Sequence, residues 1–321
     1  MTFVAAASFA ADTLPLSWAE RLSAMNGLRV AGQFDEARQL GRLALEIANR
    51  FPQPDARLAF VYNSLGSLEQ DAGNWNLAEM HYTRSLRILD QLPRDQYLEG
   101  RAVIQNNFGT LYTKMNRPDR AEPLLRQAVA FQTQLFGNGH PETIRSRMNL
   151  AQLLHVMGRQ AEAAKSFEEL LVSWQSHPEF KIEPMITSNN LAVIAIQQGK
   201  LDEAVSRLEL ILAGLTSVPD THPLFKARAQ TSLGHCYRLR GNLSRAEDLL
   251  DQAMTSLGEL AGFDHPDYAL ALSESAQVLR KTGRKALAAK QERQARAIVQ
   301  RHAAANFLHH SVDVKALAAS Q

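Results

Sequence analysis

A short phrase recurs along this chain at a nearly fixed interval, and this regularity constrains the fold more than any other feature of the sequence. The phrase is a glycine, or once an asparagine, followed five residues later by an alanine, as in the segment from Gly32 to Ala37. The seven alanines are separated by 41, 43, 42, 41, 42 and 42 residues and are Ala37, Ala78, Ala121, Ala163, Ala204, Ala246 and Ala288. A period of this length is typical of repeat proteins, in which each unit packs on its neighbours.

Each unit of about 42 residues has the pattern of two amphipathic helices. The first helix is predicted to end at a residue that tolerates the left-handed backbone conformation, which favours glycine and, after it, asparagine. These seven residues are Gly32, Gly73, Asn116, Gly158, Gly199, Gly241 and Gly283. No stretch alternates apolar and polar residues as a strand would, so we predict an all-α chain of about seven helical hairpins.

A small residue stands inside the first helix of most units, where it would let the second helix approach closely. These residues are Gly66, Gly109, Ala151, Ala192, Gly234 and Ala276. The first unit has Met25 at this point. We interpret Met25 as the mark of a terminal repeat that packs on one side only.

Composition and motifs exclude several classes of function. The formal net charge is only +2, so no global field attracts nucleic acid, and the single cysteine, Cys236, excludes an internal disulfide. No apolar run reaches the length of a membrane span, and no phosphate-binding loop, dinucleotide motif, zinc-protease motif or nucleophile elbow is present. Because the repeats occupy nearly the whole chain, we predict a protein that is not an enzyme and needs no cofactor.

Four His-Pro pairs, at His140, His177, His222 and His265, raise the question of a metal site. Equivalent residues in neighbouring repeats are separated by about 10 Å, which is too far for them to share one metal ion. We therefore predict no metal site and expect these histidines to cap the helices that follow them. Pro54-Asp55 has the same character at the start of the second unit.

The residues within the units resemble those of the tetratricopeptide repeat. Leu65-Gly66, Gly73, Ala78 and Tyr82 carry the resemblance in one unit, and Leu233-Gly234, Tyr237, Gly241 and Ala246 carry it in another. The long period and the phrases Asn189-Asn190-Leu191-Ala192 and Gly262-Phe263-Asp264-His265-Pro266 are similar to those of the kinesin-light-chain subclass. This resemblance implies a right-handed superhelical solenoid over residues 16–302, whose inner wall of first helices holds an extended peptide or a partner's helix.

Asparagine recurs two residues before the small residue in three consecutive units, at Asn107, Asn149 and Asn190. In groove-binding members of the family an asparagine at this place often contacts the main chain of the ligand, and an amide offers that main chain both a donor and an acceptor. The alternative is a hydrogen bond to the neighbouring repeat that only fixes how the units stack.

The same helices are expected to present a basic wall to the groove. Its members are Lys114, Arg145, His155, Arg228, His235 and Arg238, with Asn106 and Asn189 beside them. An acidic ligand or a free C-terminal carboxylate would gain charge-assisted hydrogen bonds there, whereas on a solvated face these cations would contribute little.

The two termini leave alternatives open. Residues 1–15 contain the apolar run Thr2–Ala11, which fits either the remnant of an export signal or a frayed end, so we expect a cytoplasmic protein with export or a periplasmic location as the alternative. The stretch from Lys281 to Arg301 carries seven basic residues and one acidic residue, which favours a solubilising outer face over a surface for nucleic acid or lipid. Residues 303–321 are expected to cap the last repeat or to form a tail.

Together these observations predict a non-catalytic scaffold that binds another protein or a peptide, with an acidic ligand as one possibility. Nucleic acid and a membrane span are not expected, and the oligomeric state is left open. Two other functions fit the same sequence. One is a regulator that senses a peptide through a change of superhelical pitch, and the other is a structural protein that assembles with itself through its termini.

Overall fold

The structure is a computed structural model that describes residues 17–218 and 223–305, with side chains described up to His302. Three predictions concern residues outside the described part of the chain. They are those for residues 1–15, for His222 of the His-Pro pair at positions 222–223, and for the C-terminal segment from residue 306 onward. Within the described part the chain contains fourteen α-helices and one short 3-10 helix, Arg94–Tyr97, and no strand.

The helices alternate as the first and second members of seven hairpins. The first members are α1 (Trp18–Val30), α3 (Ala56–Asp71), α5 (Leu98–Lys114), α7 (Pro141–Val156), α9 (Ile182–Gln197), α11 (Pro223–Leu239) and α13 (Pro266–Lys281). The second members are α2 (Phe34–Ala48), α4 (Trp75–Asp90), α6 (Pro118–Phe136), α8 (Gln160–Trp174), α10 (Leu201–Leu215), α12 (Leu243–Leu260) and α14 (Lys285–Ala305). The prediction of an all-α solenoid of seven two-helix repeats is confirmed.

The turn inside each hairpin has the backbone conformation that the sequence predicts. All seven turn residues have a positive φ, from 53° at Asn116 to 84° at Gly283. Asn116 is the one non-glycine residue with a positive φ in the described part of the chain. Asparagine tolerates this conformation better than other side chains, which is why it can replace glycine in the third repeat.

The close approach of the two helices in a hairpin is also confirmed. A Cβ atom added to Gly109 would lie 2.6 Å from Cγ of Leu125, and one added to Gly66 would lie 2.7 Å from the Tyr82 ring. Tyr82 stands four residues after Ala78, and Leu125 stands four residues after Ala121, so each lies one helical turn beyond the regularly spaced alanine of its unit. All seven of these alanines are fully buried.

In the first repeat the two helices also pack closely, but the large residue is on the first helix and the small residue is on the second. Met25 stands at the small position and is fully buried, while Gly41 stands four residues after Ala37, where other repeats have a large residue. A Cβ at Gly41 would lie 2.9 Å from Sδ of Met25. The methionine is therefore explained by its glycine partner in the hairpin.

Helix starts follow the predicted capping residues in three of the four cases that can be compared. Asp55 accepts a hydrogen bond from the backbone N–H of Arg57 at 2.8 Å. Nδ1 of His140 accepts one from Glu142, and Nδ1 of His265 accepts one from Asp267 at 3.2 Å. The expectation is wrong for His177, because α9 begins only at Ile182 and Nε2 of His177 bonds instead to the carbonyl of Gly139, 2.8 Å away in the preceding linker.

The first helices form the inner side of the solenoid. Each first helix contacts the first helix of the next repeat, from α1 with α3 to α11 with α13, whereas successive second helices have at most marginal contact in the described residues. The units are therefore closer together along the first helices, and the stack curves toward them. We call this face the inner wall.

The curvature brings the two ends of the described solenoid into contact. One apolar core joins side chains of α1–α3 to side chains of α11–α14. We call the contact surface between the first two and the last two repeats the seam. There the rings of Phe34 and His265 stack at 6.3 Å between centroids, and Nε2 of His265 lies 2.9 Å from the carbonyl oxygen of Asp71. The expectation that the first repeat packs on one side only is therefore wrong. No helix of the described chain is both long and apolar enough to cross a membrane.

Candidate functional site

Side-chain amides on the inner wall link neighbouring repeats. Nδ2 of Asn107 donates a hydrogen bond to Oδ1 of Asn63 at 3.0 Å, and Nδ2 of Asn149 donates one to Oδ1 of Asn106 at 3.0 Å. In both pairs the donor stands two residues before the small residue of its unit and the acceptor stands three residues before that of the preceding unit. We call these four residues the amide ladder. The stacking interaction that the sequence left as an alternative is thus present at Asn107 and Asn149.

The ladder does not use up its hydrogen-bonding capacity. An amide group has two N–H donors and an oxygen with two lone pairs, and each pair above uses one donor and one lone pair. All four side chains are partly exposed. Their remaining donors and acceptors are available to a ligand in the groove.

The amide ladder does not continue into the fifth repeat. The residue that would accept from Asn190 is Met148, which has no amide, and the side chain of Asn190 has no hydrogen bond within the described residues. Asn189 stands at the acceptor position of the ladder, next to the sixth repeat. Its Oδ1 is buried and has no donor in the described part of the chain. Asn189 and Asn190 are therefore the asparagines of this wall that do not serve stacking.

A pocket of about 360 Å³ opens on the inner wall between α5, α7 and α9. Amides of Asn106, Asn107, Asn149 and Gln132 form part of its lining, and the alkyl side chains of Val103, Met148, Ile182 and Ile186 form another part. Glu142, Arg145 and Glu183 complete it. We call this cavity the groove pocket. It brings together four of the predicted residues, Asn106, Asn107, Asn149 and Arg145.

Arg145 is held between two carboxylates in this pocket. Nη1 of Arg145 bonds to Oε1 of Glu142, and Nη2 lies 2.7 Å from Oε1 of Glu183 in the next repeat. The guanidinium also lies 4.9 Å from the centre of the Phe180 ring. The two glutamates stand nine residues before the small residue of their units, a position that the sequence analysis did not consider.

Lys114 and Arg228 lie in a second charged group that spans the two ends of the solenoid. Nζ of Lys114 lies 3.7 Å from Oδ1 of Asp71, and Oδ2 of the same carboxylate accepts a hydrogen bond from Arg29. Nε of Arg228 lies 2.6 Å from Oδ2 of Asp267. Burial alone would raise the pKa of Asp71, but the charges of Lys114, Arg29 and Arg228 outweigh it and lower that pKa below its usual range. Both carboxylates are therefore charged at neutral pH.

His235 and Arg238 share one buried carboxylate. Nδ1 of His235 lies 2.8 Å from Oε1 of Glu274, and Nε of Arg238 lies 2.9 Å from Oε2. Burial would raise the pKa of Glu274, but its hydrogen bonds and its electrostatic attraction to His235 and Arg238 lower it. The last predicted residue, His155, is half-buried without a partner for Nδ1 in the described chain, and burial lowers its pKa, which keeps it neutral at pH 7.

The expected basic wall is therefore a set of ion pairs. Lys114, Arg145, Arg228 and Arg238 each lie on the inner wall, but each has a carboxylate partner within 4 Å. A ligand carboxylate would have to compete with these internal partners. The positions of the cations were predictable from the repeat register, whereas their partners come from neighbouring repeats and required the structure.

A larger cavity, of about 930 Å³, lies at the seam. It is bounded by the turn between α1 and α2, by the linker between α12 and α13, and by His302. Asp35, Glu36, Glu259 and Asp264 line it with Arg38, so its charge is acidic. This cavity could not be predicted from the sequence, because the residues of its two walls are separated by more than two hundred positions along the chain.

The fold and its curved inner wall define this molecule as an α-helical repeat protein. Residues 26–91, 100–171, 184–259 and 227–301 match the model of the tetratricopeptide-repeat family. These segments cover most of the chain, and the chain belongs to that family, whose repeats serve as protein-interaction scaffolds.

The chain is similar to several known proteins, and one solved structure among them has the same overall fold. The chain is similar to the Protein STIP1 homolog of Dictyostelium discoideum, with 29% identity over 90 residues that make up 28% of this chain and 16% of that protein. It is similar to a crystal structure of NprR in complex with its cognate peptide NprX, with 14% identity, 92% and 83% of the two chains covered, and a TM-score of 0.62. It is also similar to a Podosopora anserina putative kinesin light chain with nearly identical TPR-like repeats, with 24% identity, 64% and 98% covered, and a TM-score of 0.47.

Proposed function

We propose that this protein is a non-catalytic scaffold that binds an extended or helical polypeptide against its inner wall. The observation that carries this proposal is the groove pocket, in which three amides keep free donors and acceptors beside alkyl side chains. An extended main chain needs both hydrogen-bonding partners, and its side chains need apolar contacts. The similarity to NprR, which was solved with a bound peptide, is consistent with this use of the fold.

The peptide-binding residues that we propose are the predicted ones, divided by what else they do. Asn190 and Asn189 are not engaged in stacking, whereas Asn107, Asn149 and Asn106 hold neighbouring repeats as well. The remaining predicted residues would contact the ligand from the sides of the groove. They are Lys114, Arg145, Arg228 and Arg238, each paired with a carboxylate, together with His235 and His155. Affinity for a short linear peptide is expected in the micromolar range, because the peptide must be ordered on binding.

A pull-down from native cell extract tests the proposal. The wild type is compared with a variant in which Asn107, Asn149 and Asn190 are all alanine, and with the control Gln134→Ala, which truncates an exposed amide on the second helix α6. We expect a specific partner to be lost in the triple variant and kept in the control. Circular dichroism must show that the triple variant retains its helices.

The single substitutions separate binding from stacking. Asn149→Ala removes a bond between repeats and should lower the melting temperature as well as the affinity for the captured partner, whereas Asn190→Ala should lower the affinity alone. An unchanged set of partners in the folded triple variant would contradict the proposal and would move the binding surface to the outer face or the termini.

A second candidate function, a peptide-sensing regulator, is favoured by the seam. The charge of Arg228 in the sixth repeat acts on Asp71 in the second repeat, so a ligand that engages these groups would change the forces between the two ends of the solenoid. A ligand shifts such an equilibrium only by its difference in affinity between the closed and open forms. A change in the small-angle scattering radius upon addition of the captured partner would support regulation, and a constant radius would favour a passive scaffold.

A further inference from the structure

Three side chains of the groove pocket have an acceptor oxygen with no donor in the described residues, and these oxygens indicate the kind of side chain that the pocket accommodates. We propose that it binds a lysine or arginine side chain of the polypeptide. This inference rests on the proposed function, because it assigns one subsite of the same groove.

Gln132 provides the first observation. It lies on the second helix α6, its side chain is only 2% exposed, and it lines the groove pocket. Its Oε1 is buried and receives no hydrogen bond from any described residue. Buried polar groups almost always have a partner, and an unpaired acceptor of this kind is destabilising. Rotation of the Gln132 amide toward the pocket would bring this acceptor to a ligand donor, which would satisfy it.

The carboxylates provide the second observation. Arg145 bonds to Oε1 of Glu142 and to Oε1 of Glu183, and no hydrogen bond to the Oε2 atom of either glutamate is formed within the described residues. Two carboxylates against one guanidinium leave the pocket with one unbalanced negative charge. The side chain of Glu183 is only 20% exposed, so its charge is partly shielded from solvent. Charge-assisted hydrogen bonds to a ligand are strongest under these conditions.

The apolar part of the pocket fits the stem of the same side chain. Val103, Met148, Ile182 and Ile186 line it, and a lysine or arginine places its methylene groups on such a surface while its charged end reaches polar groups. The volume of about 360 Å³ is at the small end of the range of ligand pockets, as expected for a single long side chain and the adjoining main chain.

An acidic side chain fits less well. Its carboxylate would approach two glutamates, and Arg145, the one cation among the described residues that line the pocket, already bonds to both. Like charges placed together in a partly buried site repel one another strongly. The acidic ligand expected from the sequence is therefore an alternative that the experiment must be able to detect.

The test is a positional-scanning library of immobilised peptides of equal length, in which one position at a time is fixed as lysine, arginine, methionine or glutamate. Fluorescently labelled protein is applied as the wild type, as Glu183→Gln, and as the control Glu203→Gln. Glu203 lies on the second helix α10, where it pairs with Arg207 as Glu183 pairs with Arg145. Circular dichroism verifies that each variant is folded, and Glu142→Gln replaces Glu183→Gln if the latter does not fold.

We expect the wild type and Glu203→Gln to prefer lysine or arginine over methionine at one position by about tenfold. Glu183→Gln is expected to lose that preference without change at other positions. A preference for glutamate, or a preference for lysine that survives in Glu183→Gln, would overturn the inference and leave the proposed function intact. If the wild type bound none of the peptides, the proposed function itself would fail.

Discussion

At the scale of single residues, the third repeat shows how strictly the turn geometry selects side chains. Six of the seven turns have glycine, and the seventh has Asn116 with a φ of 53°. The left-handed conformation costs about 1 kcal/mol or more for an ordinary side chain, because Cβ approaches the backbone. The turn is therefore the place where a small substitution should have a measurable and directional effect.

Substitutions of Asn116 measure the free-energy cost of the left-handed conformation at a single turn. We expect Asn116→Ala to lower the free energy of unfolding by about 1 kcal/mol, and Asn116→Gly to leave it unchanged or to raise it. Urea denaturation followed by circular dichroism compares the two variants. Equal stability of the two would show that the cost of the left-handed backbone does not control this turn.

Gln132 offers a second prediction at the same scale, in which stability and binding should change in opposite directions. Replacement of a buried, unpaired acceptor by an apolar side chain of similar size removes an unfavourable term, so Gln132→Leu should keep or raise the melting temperature. The same change should weaken binding of lysine-containing peptides. A marked fall in melting temperature would mean that the Gln132 amide already has a stabilising partner, and would remove one support of the basic subsite.

At the scale of helices, His265 joins the start of α13 to the end of α3. Nδ1 accepts from the backbone of Asp267 while Nε2 donates to the carbonyl of Asp71, an arrangement that requires the neutral ring. Burial is the main reason that the pKa of His265 is lowered from its usual value of 6.5. Protonation would remove the acceptor that caps α13.

The pH dependence follows from this shift. Because the folded-state pKa lies below the unfolded value, the unfolded chain binds the proton more readily, and stability is complete above about pH 6.5 and falls as the pH decreases. We expect His265→Asn, which retains a capping side chain, to lose less stability than the wild type between about pH 7.5 and 5.5, with a difference of about 1 kcal/mol. His140→Asn, at the less buried equivalent cap, serves as the control. Parallel pH profiles for the wild type and His265→Asn would contradict this role.

Features that depend on one repeat are predictable from the sequence, whereas contacts between repeats are harder to predict. The hairpins, their turns and the close contact at Gly109 are predictable because each depends on residues within one repeat of 42 or so positions. Asn63, Glu142 and Glu183 act across the interface between repeats, and they could have been found by aligning the units and comparing polar residues at positions that face a neighbour. The unpaired amide of Gln132 could not, because a lack of partners is a property of the assembled interface.

At the scale of the molecule, the seam depends on the small rotation that each repeat adds to the one before. The contact of His265 with Asp71 joins residues 194 positions apart in the sequence. A change of a few degrees per repeat would separate them, and no local pattern encodes such an angle. For this reason the sequence alone predicts a first repeat that packs on one side only.

Two glycines in equivalent turns provide a test of the seam. Gly32 and Gly158 have φ values of 81° and 78°, so alanine strains both backbones equally. A Cβ at Gly32 would also lie 2.9 Å from the carbonyl oxygen of Leu260 across the seam, whereas a Cβ at Gly158 would meet no described atom within 4 Å. Gly32→Ala should therefore be the less stable variant by about 1–3 kcal/mol and should increase the radius of gyration in small-angle scattering. Identical behaviour of the two variants would show that the ends do not touch in solution.

The contact between the ends also limits how this protein can change in length. An open solenoid can gain or lose one unit by duplication or deletion of its coding segment, and the remaining interfaces persist. Here an additional unit would displace Phe34 from His265 and expose the core that the two ends share. The number of units is thus subject to selection as a whole, and homologues that retain the seam should have seven repeats even where their sequences diverge widely.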